Sequence, residues 1–237
     1  MISALLRCSW ADARRVIGAH QTDEEVQPPQ VVLPFAVSHV ELPGVEMQPE
    51  RKETMQHYRY LRGRGFNPDY LAATYDIRAT THVGSWKFRV VVPVYLDRRL
   101  VSFHTRDITG QSDTPHMACP MAWEVCHHKH TLYGLDLASA DKAIVVEGYA
   151  DAWRIGPGAV ATFGTAFTMA QVRMLASRFE TIGIAYDPEE EAQRQAEKLA
   201  FLLNGLGKET IIYDIDAEDP AEMSHDDVVT LRNDFFS

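Results

Sequence analysis

Two kinds of apolar pattern alternate along the carboxy-terminal part of the chain. Short continuous apolar runs, of the length and composition of buried strands, are separated by longer segments in which apolar residues recur every three or four positions, as on one face of a helix. The predicted elements are strand 143–147, helix 150–156, strand 159–162, helix 168–179, strand 182–186, helix 189–204 and strand 210–213. This alternation predicts a small α/β unit with a mainly parallel sheet.

The preceding part of the chain has a mixed pattern. Residues 52–73 have the helical period, interrupted by a turn at two glycines, after which Asn67-Pro68 opens a second short helix. Two β-rich runs follow, 88–95 and 100–106, and the polar turn between them predicts a hairpin. We therefore predict an α+β subdomain ahead of the α/β unit.

The first fifty residues are less regular. Residues 3–20 have the pattern of two short helices, whereas residues 24–50 contain five prolines and few periodic apolar positions. The predicted organisation is a short helical segment (1–22), a linker or extended arm (23–50), a basic α+β subdomain (51–140) and an α/β subdomain (141–237).

Composition indicates a soluble globular protein. With 237 residues, of which 46 % are apolar, the chain can bury a substantial core. Its three cysteines are odd in number and irregularly spaced, which argues against a disulfide framework and favours a reducing compartment. Apolar runs long enough for a signal peptide or a membrane span are missing, so we expect a cytoplasmic protein.

Charge is distributed unevenly, although the net charge of −10 taken alone argues against a nucleic-acid-binding protein. Residues 51–110 contain eleven Lys and Arg against five Asp and Glu, whereas residues 186–227 contain thirteen acidic residues against three basic ones. This asymmetry is typical of a protein that holds a polyanion on one part and metal ions on another. Two solvated faces of opposite sign would give the same counts, and that alternative stays open.

Carboxylates follow the predicted strands of the α/β unit. Glu147 ends the first strand and Asp187 follows the third. Further acidic residues follow the last strand: Asp214, Asp216, Glu218 and Asp219. Because parallel strands end at one edge of a sheet, these side chains are expected to meet there, and buried carboxylates need a cation, with oxygen ligands favouring Mg²⁺ or Mn²⁺ over zinc. Simple helix capping by Glu147 and Asp187 is the alternative.

A second group of metal-binding residue types lies between the two predicted subdomains. Its members are Cys119, Cys126, His127, His128 and His130. Six residues separate the cysteines and two of the histidines are adjacent, which fits none of the usual zinc patterns. We therefore expect no zinc in this chain and predict a loop near a nucleotide site.

Several segments resemble DnaG-type DNA primases of bacteria and phages. Residues 145–151 and 160–168 resemble the start of the Toprim domain in that family. Further matches in the same order are residues 60–66, 92–94, 106–110, Lys129 with 132–135, and 219–222. Ordered matches over most of the chain make the resemblance specific.

The chain also departs from the family pattern. Glu189 stands where the family has a second aspartate, and Ala221 stands at a position that is usually acidic. With only Cys8 available near the start, the amino-terminal zinc-binding domain is not expected here. The sequence contains no Gly-rich loop ending in Gly-Lys-Ser or Gly-Lys-Thr, so a fused helicase is not expected either.

The resemblance implies a catalytic core that synthesises short RNA primers on single-stranded DNA with Mg²⁺ or Mn²⁺. The implied catalytic residues are Glu147, Asp187 and Glu189, with Asp219 as a further metal ligand. The implied nucleotide- and template-binding residues are Arg62, Arg64, Arg89, Arg106, Lys129, Gly148, Gly164 and Thr165. Tyr58 and Tyr60 are expected either to stack on bases or to belong to the core.

The implied partners are single-stranded DNA, ribonucleoside triphosphates, a replicative helicase and a zinc-binding module that is either a separate chain or lost. The missing zinc module and the compact size together favour a phage or another mobile element. Two alternatives remain. Toprim sites also serve nucleases, which would cleave DNA without nucleotides. Glu189 and Ala221 could instead mark a degenerate site in a primosome subunit that binds DNA or helicase without catalysis.

Overall fold

The apolar runs of the sequence form two β-sheets. The structure, a computed structural model, describes residues 39–138, 141–217 and 219–237. These belong to one unit that extends from Val37 to Ser237. The helical segment predicted in residues 1–22 and the first part of the predicted arm lie outside the described residues. Among the described residues, no helix is both long and apolar enough to cross a membrane.

The first sheet is antiparallel, and its five strands lie side by side in the order in which they occur in the sequence. Two helices precede its main hairpin. The elements are β1 (Val45–Glu46), α1 (Met55–Gly63), α2 (Pro68–Tyr75), β2 (Arg78–Ala79), β3 (Arg89–Leu96), β4 (Arg99–Asp107) and β5 (His116–Ala118). Within the predicted arm, Val40 and Met47 are buried and β1 pairs with β2, so its described part packs on this sheet.

Local signals account for these elements. Asn67 caps α2, because its side chain accepts hydrogen bonds from the backbone N–H groups of Asp69 and Tyr70, and Pro68 occupies the first helical position. The β3–β4 hairpin closes through Asp97 and Arg98, both with positive φ (51° and 60°), which suits a two-residue turn. The predicted helices and hairpin are therefore present.

The second sheet is parallel; its first strand lies between the second and the third, and its fourth strand lies beyond the third. Helices connect its strands. The elements are β6 (Lys142–Val146), α3 (Tyr149–Ile155), β7 (Ala159–Ala161), α4 (Met169–Arg178), β8 (Thr181–Ile184), α5 (Glu190–Gly205), β9 (Glu209–Ile212) and α6 (His225–Phe236). This confirms the predicted α+β part followed by an α/β part with a parallel sheet. Helix α6 was not predicted.

An aromatic cluster joins the helices of the first part to the second sheet. Phe66 meets Trp153 of α3 edge-on, with ring centroids 5.7 Å apart, and Tyr75 stacks on Tyr133 at 5.9 Å. The indole N–H of Trp153 donates to the Tyr133 hydroxyl at 2.7 Å, which satisfies both buried polar groups. This packing holds helix α2 and the segment after α1 against helix α3 and the segment that carries Tyr133. A cleft lies between the two sheets.

Candidate metal and nucleotide site

A cleft of about 540 Å³ separates the two sheets. One wall is acidic and comes from the parallel sheet, and the other is basic and aromatic. The lining residues used below are Tyr60, Arg64, His104, Arg106, His116, Glu147, Gly148, Tyr149, Asp151, Phe163, Gly164, Asp187, Asp219 and Ala221. The cleft therefore brings opposite charges together around a space large enough for a nucleotide.

Four carboxylates form the acidic wall. Glu147 follows β6, Asp187 follows β8 and Asp219 follows β9, so the parallel sheet brings three distant residues to one edge. Asp151, in the first turn of α3, is the fourth. The exposed Asp214 and Asp216 do not line the cleft, and Glu218 lies outside the described residues.

The Glu147 carboxylate is held by neighbours on both sides. Its Oε1 accepts a hydrogen bond from the backbone N–H of Asp187 at 3.2 Å, and its Oε2 accepts one from the Thr165 hydroxyl. The side chain is buried, with 8 % of the residue exposed. These bonds connect the ends of β6 and β8 and fix the direction in which the carboxylate faces the cleft.

Two carboxylate oxygens in the cleft lack partners. Oδ1 of Asp187 and Oδ1 of Asp219 are both buried, and neither accepts a hydrogen bond from any described residue. Burial, followed by the charges of Glu147, Asp219 and Glu189, raises the pKa of Asp187 to about 7. Unpartnered buried oxygens among like charges are what a bound cation would satisfy, and an all-oxygen set fits Mg²⁺ or Mn²⁺.

Asp151 is the acidic residue of the cleft that the sequence analysis did not single out. Its Oδ2 accepts the backbone N–H of Gly148 at 2.7 Å, and a Cβ on Gly148 would lie 3.2 Å from that oxygen. Burial is the main cause that raises the pKa of Asp151 to about 7, helped by the charges of Asp187, Asp219 and Glu147. Its position in the sequence indicates this role, because Asp151 follows Glu147 by four residues, in the first turn of a predicted helix.

The basic wall is a chain of hydrogen bonds. Arg106 donates from Nε to the Tyr60 hydroxyl at 3.1 Å and contacts Nε2 of His116 with Nη1. Since arginine only donates, Nε2 of His116 accepts, and Nδ1–H donates to the Tyr149 hydroxyl at 3.1 Å. Burial, then the charge of Arg106, lowers the pKa of His116, so the ring is neutral. The Tyr149 hydroxyl is thus the acceptor in its bond to His116, and its own O–H can still donate a hydrogen bond.

The cleft also has flat ring surfaces. His104 stacks on Phe163 with centroids 4.6 Å apart. Burial, followed by the charges of His128 and His116, lowers the pKa of His104 to about 3, so this ring too is neutral near pH 7. Tyr58 is different: it is buried and its hydroxyl donates to Asp69 at 2.7 Å, which places it in the core. Of the two tyrosines considered for stacking, only Tyr60 lines the cleft.

Lys129 binds the loop next to Glu147 through backbone carbonyls. Its Nζ donates to the carbonyls of Thr162, Phe163 and Ala166 at 3.1, 2.9 and 2.8 Å. These bonds fix the loop that carries Gly164 and Thr165, and Thr165 in turn holds Glu147. The structure thus places Lys129 as an anchor of the loop, with no donor left for a phosphate in this arrangement.

Lys129, Thr165 and three further predicted residues are not part of the cleft lining. Arg89 is buried, and its guanidinium donates to the Ser112 hydroxyl and the Thr114 and Pro115 carbonyls at 2.9, 2.7 and 3.3 Å. Arg62 is exposed, with its guanidinium 5.4 Å from the Tyr58 ring. Glu189 is exposed at the first position before α5 and reaches the site only through its charge. The structure therefore does not bring these three together with the carboxylates.

Comparisons with known proteins agree with the geometry. Residues 144–224, which carry the acidic wall, match the family described as Toprim-like. A search of curated proteins finds no significant match to the sequence.

Solved structures share the fold over most of this chain. A DnaG primase catalytic domain bound to single-stranded DNA has a TM-score of 0.65 at 19% identity, over 78% of this chain and 73% of that one. The E. coli primase catalytic core has a TM-score of 0.62 at 20% identity, over 74% of this chain and 70% of that one. The primase fragment of the bacteriophage T7 primase-helicase has a TM-score of 0.54 at 17% identity, over 73% of each chain. The resemblance to DnaG-type primase cores is thereby confirmed at the level of the fold.

Proposed function

We propose that this chain is a DNA primase catalytic core, which synthesises short RNA primers on single-stranded DNA by two-metal nucleotidyl transfer. The observation that carries the proposal is the pair of unpartnered buried oxygens on Asp187 and Asp219, two residues that line the same cleft as Arg64 and Arg106. Cation ligands and phosphate-binding guanidinium groups are the two requirements of this chemistry. The primase-core fold supports the same conclusion.

Glu147, Asp187 and Asp219 would hold the divalent cations, with Asp151 beside them. Bound Mg²⁺ or Mn²⁺ would supply charge neutralisation for the attacking 3′-hydroxyl and the leaving pyrophosphate. Glu189 remains in the proposal as an outer acidic group that strengthens the field at Asp187. Because the pKa of Asp187 is near 7 without a metal, this carboxyl group must lose its proton before it can bind a cation.

The opposite wall would bind and orient the nucleotide. Arg64 and Arg106 would contact the triphosphate, because guanidinium groups pair with phosphate oxygens through two parallel hydrogen bonds. Tyr149, fixed by His116, would donate its hydroxyl proton to a phosphate or ribose oxygen. The flat ring pair of His104 and Phe163 offers a surface for a base.

The remaining predicted residues have supporting roles in the proposal. Gly148 leaves room beside Asp151, and the loop that carries Gly164 and Thr165, anchored by Lys129, positions Glu147. The exposed Arg62 would meet template phosphates at the edge of the cleft, whereas Arg89 shapes the loop before β5.

The proposal includes the organisation and partners expected from sequence. Residues 51–140 would bind template and nucleotide, and residues 141–237 would carry the metals. The partners would be a single-stranded DNA template, ribonucleoside triphosphates, a replicative helicase and a separate zinc-binding module, in the cytoplasm of a cell or of the host of a phage. The similar structures include one bound to single-stranded DNA and one from a primase-helicase.

Incorporation of labelled ribonucleotides on single-stranded DNA tests the proposal. The reaction would contain Mg²⁺ or Mn²⁺, with and without a zinc-module protein. Asp187→Asn is expected to abolish short products, while Asp214→Asn, which alters an exposed carboxylate outside the cleft, should leave them unchanged. Dependence on the added protein would identify a split enzyme.

Other outcomes would overturn the proposal. A shortened template in the absence of nucleotides, lost in Asp187→Asn, would indicate a Toprim nuclease. DNA binding that is independent of Mg²⁺, without any product, would indicate a non-catalytic primosome subunit. Equal product from wild type and Asp187→Asn would show that the carboxylate wall is not the catalytic site.

A further inference from the structure

A second group of possible ligands lies behind the cleft, in the segment before the Leu-Tyr-Gly-Leu sequence. One ligand atom each from Glu124, His127 and His128 falls within a mutual distance of 4.8 Å. Nδ1 of His128 is 3.1 Å from Oε1 of Glu124, and Nε2 of His127 is 3.9 Å from Oε2. None of the three lines the cleft.

Glu124 is the unusual member of this group. Its side chain is only 3% exposed. Oε1 accepts hydrogen bonds from the Ser102 hydroxyl at 2.6 Å and the His128 backbone N–H at 3.4 Å. Oε2 is buried and has no hydrogen-bond partner among the described residues. A buried carboxylate oxygen without a partner is costly, and this one faces the His127 ring at a distance too long for a hydrogen bond.

We propose that Glu124, His127 and His128 form a transition-metal site, separate from the carboxylate cleft, that binds Zn²⁺. Two imidazoles and one carboxylate are a donor set typical of zinc sites with a position open to water, and imidazole disfavours Mg²⁺. His127 is one-third exposed and His128 14% exposed, so an ion can reach the buried carboxylate from the histidine side. A cation there would satisfy Oε2 of Glu124.

The neighbouring cysteines are not part of this ligand set. Sγ of Cys119 lies 3.6 Å from the Pro120 carbonyl, and Sγ of Cys126 lies 3.7 Å from the His127 carbonyl. The spacing of these cysteines fits no usual zinc pattern, so the sequence alone predicts no zinc here. The carboxylate of Glu124, two positions before Cys126, was not part of that pattern, and only the folded segment brings it to the histidines.

Zinc binding has a consequence for Lys129. Nδ1 of His127 now accepts the backbone N–H of Lys129 at 3.1 Å, so the proton of the neutral ring is on Nε2. Coordination through Nε2 moves that proton to Nδ1, and the Lys129 N–H loses its acceptor. Because Lys129 anchors the loop at 162–166, the ion would act on the support of the cleft without entering it.

The test is a zinc titration of the full chain with a chromophoric chelator as competitor. Excess Mg²⁺ is present to occupy the carboxylate cleft. Wild-type protein is expected to bind one Zn²⁺, and His127→Ala and His128→Ala are each expected to weaken binding by at least about tenfold, since loss of even a supporting group costs that much. His130→Ala is the matched control, because His130 is an exposed histidine of the same segment outside the group.

Two further measurements make the result decisive. Co²⁺ in place of Zn²⁺ should give visible absorption bands of a low-symmetry nitrogen and oxygen site, which Glu124→Gln should abolish while far-ultraviolet circular dichroism shows that the variant is folded. Amide exchange at Lys129 should accelerate when Zn²⁺ is added to wild type but not to His127→Ala. The proposal fails if Zn²⁺ does not bind at unit stoichiometry, if His130→Ala weakens binding as much as the other variants, or if only Asp187→Asn removes it.

Discussion

Replacement of Asp151 by Asn should stabilise the metal-free protein at alkaline pH. The carboxyl group is buried, with 7% of the residue exposed, and its pKa is raised from 3.8 to about 7, chiefly by burial. The folded state therefore binds this proton more tightly than the unfolded state. Stability is lost as the pH rises from about 4 to about 7 and then levels off, because only the unfolded chain releases the proton easily over that range.

The size of the effect follows from the pKa. The rise in the pKa of Asp151 from 3.8 to about 7 lowers the free energy of unfolding by roughly 4 kcal/mol above pH 7. Asparagine keeps the acceptor for the Gly148 N–H but remains a buried polar group, and the neighbouring carboxylates relax when one charge is removed. We therefore expect a net gain of about 2 kcal/mol at pH 8, or about 4–8 °C in Tm for a unit of this size.

The difference in stability between wild type and Asp151→Asn can be measured by thermal and urea denaturation. Both proteins are compared at pH 4 and pH 8, with EDTA or with Mg²⁺. The gain should appear at pH 8 in EDTA and vanish near pH 4, and Mg²⁺ should stabilise wild type more than the variant. Asp216→Asn, an exposed carboxylate after β9, is the control. If Asp151→Asn is as stable as wild type or less stable at pH 8 in EDTA, the reasoning that burial strains this carboxylate is refuted.

Three further predictions concern the two walls of the cleft and its support. Arg106→Ala should weaken triphosphate binding, whereas Arg62→Ala should lower the slope of single-stranded DNA affinity against log salt by about one, since each phosphate contact contributes about that much; an unchanged slope would place the template elsewhere. Lys129→Met should lower the free energy of unfolding by about 2 kcal/mol in urea denaturation, because three carbonyls lose their donor. Mg²⁺ affinity measured by calorimetry should rise from pH 6 to pH 8 and then level off, because Asp187, with a pKa near 7, must lose its proton; a flat profile would contradict its role as a ligand.

The sequence was informative wherever local periodicity decided the structure. The parallel strands and their helices follow from apolar runs and helical spacing, and Glu147, Asp187 and Asp219 meet because they follow parallel strands. Helix α6 could have been found as well, since Ser224 caps it and Val228 and Leu231 mark its buried face.

Long side chains were harder to place, because their partners depend on tertiary structure. Arg89 and Lys129 have the charge expected of phosphate-binding residues, yet the chain uses both to hold loops through backbone carbonyls. His116 had no local signal at all. It enters the cleft because its three-residue strand pairs with β4, where His116 lies opposite Arg106, ten positions earlier in the sequence and across an irregular loop.

The charges of the cleft are compatible with the proposed two-metal chemistry although Ala221 stands at a position expected to be acidic. Ala221 lines the cleft, and its carbonyl accepts the Nε–H of Arg154 at 2.6 Å, so that position fastens the acidic loop to α3. When all four carboxylates of the wall are ionised, as above the raised pKa of Asp151 and Asp187, the charges of Arg64 and Arg106 leave two negative charges, which one divalent cation would neutralise. A second cation would then be matched by the negative charge of the triphosphate itself, so two-metal chemistry does not require a further acidic residue in this wall.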